Sequence, residues 1–263
     1  MIQYLFCAHT DIGRVRANNE DAVVFDAEMA VGVLADGMGG YSAGEVASSM
    51  AVTLIHAEMR AWLMQSDEPP LGNDIRRALE ICVDNANQAI YSAALTHGEY
   101  AGMGTTLVVG VLSEDKLVLG HVGDSRCYRW RAGVLKQLTR DHSWLQEQLD
   151  AGLLTPQQAA VSPNRNLVTR ALGVEPTVLV EINEFRMEPH DLLLMCSDGL
   201  SEMLQPDEIA ALVSADETLE EKTTRLIAAA NANGGRDNIS VLLVQAGQAQ
   251  RKPGLISRWL RAA

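Results

Sequence analysis

The chain has 263 residues, of which 47% are hydrophobic and 21% are charged, a composition typical of a folded globular protein. Acidic residues outnumber basic residues by 34 to 21, and the net charge of −13 disfavours nonspecific binding to nucleic acid or to an anionic membrane. This length predicts one large domain whose core needs neither disulfides nor a structural metal.

The cysteines and the apolar segments indicate a reducing compartment. Cys7, Cys82, Cys127 and Cys196 are far apart in sequence and form no C-x-x-C pair, so we expect buried free thiols. The N-terminal segment has no basic region and too short an apolar run for a signal peptide, and no later segment could span a bilayer. We therefore expect a cytoplasmic protein without a transmembrane segment.

Strands and two long helices are predicted in the first third of the chain. Tyr4–Ala8 is predicted to form a first strand, and Ala22–Phe25 and Met29–Ala35 a hairpin. Ser42 begins a capping box for a long amphipathic helix, and Asn73 is placed to cap a second helix.

The stretch Val33–Gly40 connects the hairpin to the first helix. Its apolar strand ends in Asp36, and three glycines follow within four residues, which predicts a backbone with unusual dihedral angles. Glycines let main-chain atoms approach a ligand closely, and the neighbouring carboxylate suggests a cation or a phosphate. By itself, the same pattern is more often an ordinary tight turn.

An antiparallel meander is predicted in the middle of the chain. Its four strands are Leu107–Leu112, Lys116–Val122, Ser125–Trp130 and Val134–Leu138. Between the second and third of these strands lies Gly123-Asp124, a pair that most often marks a simple turn. Here it also places a second acid at a strand junction.

The segment from about 139 to 173 is polar and contains two prolines, and it has a short helical pattern over Ser143–Leu149. We interpret it as a flap over the sheet. His142 in this segment is either a substrate contact or a solvated loop histidine, and the second is the commoner case.

The last third repeats the arrangement of a strand beside an acid. Strands are predicted over Val178–Phe185, Leu192–Cys196 and Ile239–Val244, and helices over Pro206–Val213 and about Leu219–Ala232. Asp198 follows the second of these strands, and Asp237 precedes the last one.

The composition shifts after residue 245, and residues 247–263 form a short basic tail. Leu255, Ile256, Trp259 and Leu260 would share one face of a helix in it. Such a tail can dock on a partner or on an anionic surface, although a disordered or self-packed tail is the commoner case for so short a segment.

Four acids thus lie in short glycine- or asparagine-containing turns beside predicted strands. They are Asp36, Asp124, Asp198 and Asp237. Carboxylates gathered at one place raise each other's pKa unless cations neutralise them, so the pattern favours a site for several metal ions with oxygen ligands. No histidine or cysteine shares the pattern, which favours Mg²⁺ or Mn²⁺ over zinc or copper.

The order and spacing of the short motifs resemble one known family. The motifs are Arg16-x-x-Asn19-Glu20-Asp21, Asp36-Gly-Met-Gly-Gly40, Gly104-Thr-Thr106, Gly123-Asp-Ser-Arg126, Ser197-Asp-Gly199 and Asp237-Asn-Ile-Ser240. Over about residues 3 to 245, the chain resembles the PPM family of metal-dependent protein serine/threonine phosphatases, also called protein phosphatase 2C-like. The compact motifs are similar to those of its bacterial branch.

The resemblance implies an α+β fold, an α-β-β-α sandwich of two antiparallel β-sheets flanked by helix pairs, with a binuclear metal centre at one edge. It implies a phosphatase domain over residues 1–246, with the flap at about 139–173 and the tail at 247–263. A monomer that acts on phosphoserine and phosphothreonine proteins and opposes a bacterial serine/threonine kinase is the corresponding expectation, with no nucleic-acid partner.

The resemblance also implies ligand roles. Asp36 would bridge two Mn²⁺ or Mg²⁺ ions, the carbonyl of Gly37 would bind one of them, and Asp198 and Asp237 would bind the other. Asp124, together with Asp198, would hold a third and weaker ion.

The same resemblance assigns three further residues. Arg16 would bind the phosphate, for which its forked and permanently charged guanidinium is suited. Glu20 and Asp21 would hold metal-bound waters. Two cations would lower the pKa of a bridging water, which then attacks phosphorus in line without a phosphoenzyme.

One departure from the family concerns the general acid. Eukaryotic relatives carry a histidine where this chain has Met38, which cannot donate a proton. The acid is then a metal-bound water or another residue, and His9, His121 and His142 are unassigned candidates.

Two other functions are alternatives. A catalytically silent module could sense phosphoprotein or metal, although the chain retains every acid that the family motif requires. An enzyme for small phosphoesters is less favoured, because the flap is broad and no nucleotide-binding glycine loop is present.

Overall fold

The computed structural model describes residues 2–40, 43–65, 69–155, 158–159, 162 and 167–248. Within these residues, two antiparallel sheets pack face to face, and helices cover the outer face of each sheet. This is the α-β-β-α sandwich that the resemblance to the PPM family implies.

In the described part of the chain, the first sheet has five strands. In spatial order they are β1 (Gln3–Asp11), β11 (Ile239–Gly247), β10 (Leu192–Cys196), β7 (Arg126–Arg131) and β8 (Val134–Gln137). All neighbours are antiparallel, so the end of β10 and the starts of β11 and β7 lie at the same edge of the sheet.

The second sheet is built in the same way. In spatial order its strands are β2 (Asp21–Asp26), β3 (Val31–Met38), β5 (Leu107–Ser113), β6 (Lys116–Val122) and β9 (Glu181–Arg186), and the short strand β4 (Gly104–Thr105) pairs with the end of β3. The Ser197 hydroxyl, just after β10, donates to the Asp21 carboxylate at the start of β2 (2.7 Å). This bond joins the corresponding edges of the two sheets.

Helix pairs cover both outer faces. α1 (Ala43–Leu63) and α2 (Gly72–Thr96) pack on the second sheet, and α5 (Pro206–Ser214) and α6 (Leu219–Ala232) pack on the first. The described residues also include two short α-helices, α3 (Trp144–Asp150) and α4 (Asp198–Ser201), and a 3-10 helix at Gly98–Tyr100.

The core has three apolar layers, one between the sheets and one under each helix pair, because side chains along a strand alternate between its two faces. On β11, Leu242 and Val244 pack between the sheets, whereas Val241 and Leu243 face α5 and α6. Successive side chains of a strand point to opposite faces, and both faces of this strand are covered. Its near-continuous apolar sequence is the result.

The predicted meander is wrong at one connection. The β5–β6 and β7–β8 hairpins form, but β6 pairs with β9 and β7 pairs with β10, which belong to different sheets. The link from Gly123 to Ser125 therefore crosses from one sheet to the other. A run of apolar residues indicates a buried strand but does not say which sheet the strand joins.

The predicted helix caps differ from the structure. α2 begins at Gly72 after Leu71, which makes no side-chain capping bond, so the predicted cap at Asn73 is wrong. The buried face of α2, with Ile75 and Leu79 among its members, is as predicted. The capping box predicted to begin at Ser42 lies outside the described residues.

The cysteines are free, and Cys82, Cys127 and Cys196 are buried as predicted, whereas Cys7 is half-buried. Among the described residues, no helix combines the length and the apolar character needed to cross a bilayer.

Candidate active site

Asp36 lies inside β3 rather than at its end. The strand continues to Met38, and Asp36 pairs with Asp21 across the β2–β3 ladder. The N–H of Asp36 donates to the hydroxyl of Thr106 (3.0 Å), and its carbonyl accepts from the Thr106 N–H (2.9 Å). The backbone that carries this carboxylate is therefore fixed on both sides.

The glycines after Asp36 allow close packing. Gly37 and Gly39 lie outside the left-handed region, so the predicted unusual dihedral angles are wrong. A Cβ on Gly37 would lie 2.1 Å from the carbonyl oxygen of Gly44 and 2.6 Å from that of Glu20. The missing side chain lets the first turn of α1 and the start of β2 approach β3.

Asp124 lies in the loop between β6 and β7. Gly123 before it has a φ of +102°, and a Cβ there would lie 2.7 Å from Thr106. Ser125 after it shares a hydrogen bond with the Thr106 hydroxyl (2.7 Å). Because Thr106 also holds Asp36, one residue fixes the loop of Asp124 relative to Asp36.

Asp198 and Asp237 come from neighbouring strands of the first sheet. Asp198 begins α4 just after β10, and Asp237 lies just before β11. A Cβ on Gly199 would lie 2.0 Å from the carbonyl oxygen of Asn238, so the two turns are in close contact. The Asn238 side chain also accepts from the N–H of Glu20 (2.8 Å), which joins these turns to β2.

These elements enclose a cavity of about 210 Å³ at one edge of the sandwich. Its lining includes seven predicted site residues: Arg16, Glu20, Asp36, Gly37, Asp124, Asp198 and Asp237. The eighth, Asp21, is buried beside the cavity, where its carboxylate accepts from Ser197 (2.7 Å). The fold thus brings together acids that are distant in sequence, and their individual roles stay predictions.

Burial and repulsion between carboxylates raise the pKa values of four of these acids, Asp21, Asp36, Asp124 and Asp198. Burial, followed by the charges of the neighbouring acids, raises the pKa of Asp36 and of Asp198 well above the usual value. Burial raises the pKa of Asp21 and of Asp124 to about 6. One carboxylate oxygen of Asp198 and one of Asp21 are buried and accept no hydrogen bond within the described residues. A bound cation would favour the ionised forms and supply the missing partners.

The donor set fits hard divalent cations. Carboxylate and main-chain oxygens line the cavity, and the described residues contribute no imidazole or thiol to it. No three acidic, histidine or cysteine side chains among them are grouped closely enough to hold an ion by themselves. An ion bound here would need main-chain oxygen, such as the Gly37 carbonyl, and water as further ligands, as Mg²⁺ commonly does.

Arg16 lies at the rim of the cavity. Its side chain is 53% exposed, and its Nη2 donates to Asp237 (2.6 Å). This hydrogen bond raises the pKa of the guanidinium further. The rim therefore carries a permanent positive charge next to a cluster of acids, which can attract an anion to the edge of the cavity.

The histidines considered as proton donors do not line the cavity. His9 is exposed on β1, and His121 and His142 are buried. The solvated position expected for His142 is wrong, because its ring packs on that of His121 with centroids 4.7 Å apart. Met38 does line the cavity.

Three polar residues of the lining, Asn18, Thr106 and Asn238, had no predicted role. Asn238 donates to the main-chain carbonyls of Ile12 (3.0 Å) and Asn18 (2.9 Å), so it orders the loop that carries Arg16. Thr106 and Asn238 both lie within the short motifs. Their position beside glycines and acids is the feature of the sequence that could have identified them as site residues.

Clustered carboxylates that suit divalent cations, beside an arginine that suits a phosphate, are the groups that metal-dependent phosphate hydrolysis requires. The chain matches the Protein phosphatase 2C family over residues 13–243. It is 39% identical over 239 residues to the serine/threonine phosphatase stp of Listeria monocytogenes, covering 90% of this chain and 93% of that protein.

Solved structures give the same result. The serine/threonine phosphatase PstP/Ppp of Mycobacterium tuberculosis matches with a TM-score of 0.86 and 35% identity, covering 94% of this chain and 100% of that chain. The catalytic domain of PstP in complex with two manganese ions matches with a TM-score of 0.84 and 34% identity, with the same coverage. The chain belongs to the protein phosphatase 2C family, and its predicted resemblance to the bacterial members is confirmed.

Proposed function

We propose that this chain hydrolyses phosphoserine and phosphothreonine esters on proteins, using two divalent cations held in the acidic cavity. It is a protein serine/threonine phosphatase, as its relatives are named. The observation that carries the proposed mechanism is the convergence of Asp36, Asp124, Asp198 and Asp237 on one cavity with Arg16 at its rim. The PstP complex with two manganese ions supports metal dependence.

The proposed ligand roles are those that the family resemblance implies, and the lining of the cavity supports them. Asp36 would bridge two Mn²⁺ or Mg²⁺ ions, with the Gly37 carbonyl on one ion and Asp198 and Asp237 on the other. The unpartnered buried oxygen of Asp198 and the raised pKa of Asp36 support these roles. Asp124, with Asp198, would hold a weaker third ion.

When bound, the two cations neutralise the carboxylates and lower the pKa of water so that it can attack phosphorus. Glu20 and Asp21 would orient the waters around the ions. The carboxylate of Glu20 accepts from Asn18 (3.0 Å), and that of Asp21 accepts from Ser197 (2.7 Å). Both side chains are therefore restrained before any ligand binds.

Arg16 would bind the phosphoryl group. Asp237 holds one end of its guanidinium at the rim, and the forked donor group suits two phosphate oxygens at once. Its permanent charge would stabilise the negative charge that builds on these oxygens in the transition state.

The leaving serine or threonine oxygen needs a proton. Met38 cannot donate one, and no histidine of the described residues lines the cavity. The proton would therefore come from water or from a carboxyl group of the cavity.

We further propose that residues 1–246 form the phosphatase domain, with the flap at about 139–173, and that 247–263 form a tail, most of which lies outside the described residues. The chain would act as a cytoplasmic monomer against a serine/threonine kinase. Unchanged phosphorylation of a kinase substrate in a deletion strain would argue against that pairing.

Turnover of three substrates tests the substrate class. With Mn²⁺ present, a phosphothreonine peptide should be hydrolysed with a higher kcat/KM than a nucleoside monophosphate, and an aryl phosphate should serve as a general reporter. A preference for the nucleotide would favour a small-molecule phosphoesterase. No turnover of any substrate, despite measurable Mn²⁺ binding, would favour a silent sensing module.

A further inference from the structure

Both main-chain polar groups of Gly123 are bonded to one residue, His142. The N–H of Gly123 donates to Nδ1 of the His142 ring (3.1 Å), and the N–H of His142 donates to the carbonyl of Gly123 (2.7 Å). Gly123 immediately precedes Asp124 and has a left-handed conformation. The conformation of the loop that carries Asp124 is therefore held by a residue outside the cavity.

These contacts define the tautomer of the His142 ring. Because Nδ1 accepts a hydrogen bond, the ring proton is on Nε2, which lies 3.3 Å from a carboxylate oxygen of Glu181. The ring is only 2% exposed, and burial lowers its pKa, which favours the neutral form that can accept at Nδ1. The side-chain amide of Asn183 donates to the other carboxylate oxygen of Glu181 (2.8 Å).

His142 lies near the start of the flap, and its main chain also contacts the end of the flap. Its carbonyl accepts from the N–H of Thr169 (2.8 Å), and the next residue, Ser143, pairs with Val168. Val168 lines the cavity. His142 thus contacts both the loop of Asp124 and the end of the flap, around Val168, that borders the site.

The ring of His121 completes the arrangement. It packs on the His142 ring, and its Nε2 donates to the carbonyl of Ser125 (2.9 Å), on the other side of Asp124. The residues before and after Asp124 are therefore each held by one of two neighbouring imidazoles, whose ring planes are tilted by 34°.

We propose that His142 is a positioning residue. Its imidazole and main chain fix the Gly123–Ser125 loop relative to the flap at Val168, and this keeps the carboxylate of Asp124 directed into the cavity. The inference rests on the proposed function, since it gives Asp124 a role at the metal site. It predicts that the Nδ1 acceptor matters more than the volume of the ring.

A pair of substitutions separates these contributions. His142→Asn offers a side-chain oxygen that can accept from Gly123, whereas His142→Leu keeps apolar volume and removes the acceptor. We expect His142→Leu to lower kcat/KM for a phosphothreonine peptide by about 10- to 100-fold and to weaken Mn²⁺ binding, as loss of a supporting group around a metal site usually does. His142→Asn should keep most of both. His97→Leu, at an exposed histidine after α2, should match wild type.

Nuclear magnetic resonance of the full chain gives a readout independent of activity. The wild-type His142 ring should carry its proton on Nε2, and the Gly123 amide should exchange slowly with solvent. The slow exchange should persist in His142→Asn and be lost in His142→Leu. Equal defects in both variants, or a wild-type proton on Nδ1, would overturn the proposal, and the second result needs no variant to fold. Failure of the wild type to act on phosphopeptide would instead contradict the proposed function and leave the amide measurement valid.

Discussion

Gly37 shows how the cavity depends on a missing side chain. It lies between the carbonyl oxygens of Glu20 and Gly44, at distances that no Cβ could occupy without displacing the backbone. The sequence indicated that glycine was required after Asp36, but the reason is contact between a strand and a helix. Only the three-dimensional structure contains that contact.

Gly37→Ala should destabilise the chain by about 1–3 kcal/mol, because the new methyl group forces β3 and α1 apart. It should also lower activity, since the carbonyl of the same residue is a proposed ligand. Urea unfolding and phosphate release measure the two effects. Gly40→Ala is the control, because a Cβ there meets no atom of the described residues within 4 Å and should change stability by less than about 0.5 kcal/mol. Equal stability of the two variants would contradict the packing argument.

Arg16→Lys keeps the positive charge but removes the forked set of N–H donors that a guanidinium presents. If the guanidinium binds two phosphate oxygens, kcat should fall by about 10²-fold, because a lysine offers only a point charge. Steady-state kinetics on a phosphopeptide measure this. Arg14→Lys serves as the matched control, since Arg14 is exposed and is not part of the cavity lining. An unaltered kcat in Arg16→Lys would remove the assigned role.

At the scale of elements, the sequence predicted most strands and helices, because their apolar periodicity is strong. β10 and α6 have the predicted bounds, Leu192–Cys196 and Leu219–Ala232. The assignment of β6 and β7 to different sheets was not predictable, because both flank a glycine-aspartate pair that is typical of a hairpin turn. The convergence of the acids on one cavity was expected only because four similar turns recur and because the motifs resemble one family.

Ser197 connects three strands at the edge that carries the cavity. Its hydroxyl donates to Asp21 on β2, and it accepts from the N–H of Ser240 on β11 (2.9 Å). Ser197→Ala would leave both partners buried without this bond and should destabilise the metal-free chain by about 1–3 kcal/mol, as measured by urea unfolding. Ser214→Ala removes an exposed hydroxyl bonded within α5 and should be nearly neutral. A neutral Ser197→Ala would show that the bond does not hold the sheets together.

For the whole molecule, the acids of the cavity link stability to pH and to metal. Asp21 and Asp124 have ordinary pKa values near 3.8, raised to about 6 in the folded chain. Between these values the folded, metal-free chain binds more protons than the unfolded chain, so this contribution to stability is lost as pH rises from about 4 to 6. A cation replaces the protons and should restore the loss.

The increase in Tm on adding Mn²⁺ should therefore be larger at pH 7.5 than at pH 5, where protons compete for the same carboxylates. Thermal unfolding with and without Mn²⁺ at the two pH values measures it. Asp36→Asn should show a reduced increase at pH 7.5. An increase that is as large at pH 5 would place the ions away from these acids.

Phosphate release from a phosphothreonine peptide, by metal-stripped protein titrated with Mn²⁺ or Mg²⁺, tests the central claim most directly. We predict no activity without metal, saturable recovery on titration, and loss of that recovery in Asp36→Asn and Asp198→Asn. Asp150→Asn, an exposed acid on α3, should behave as wild type. Full activity of the metal-stripped protein, or wild-type rates in both cavity variants, would contradict a metal-dependent phosphatase centred on these carboxylates.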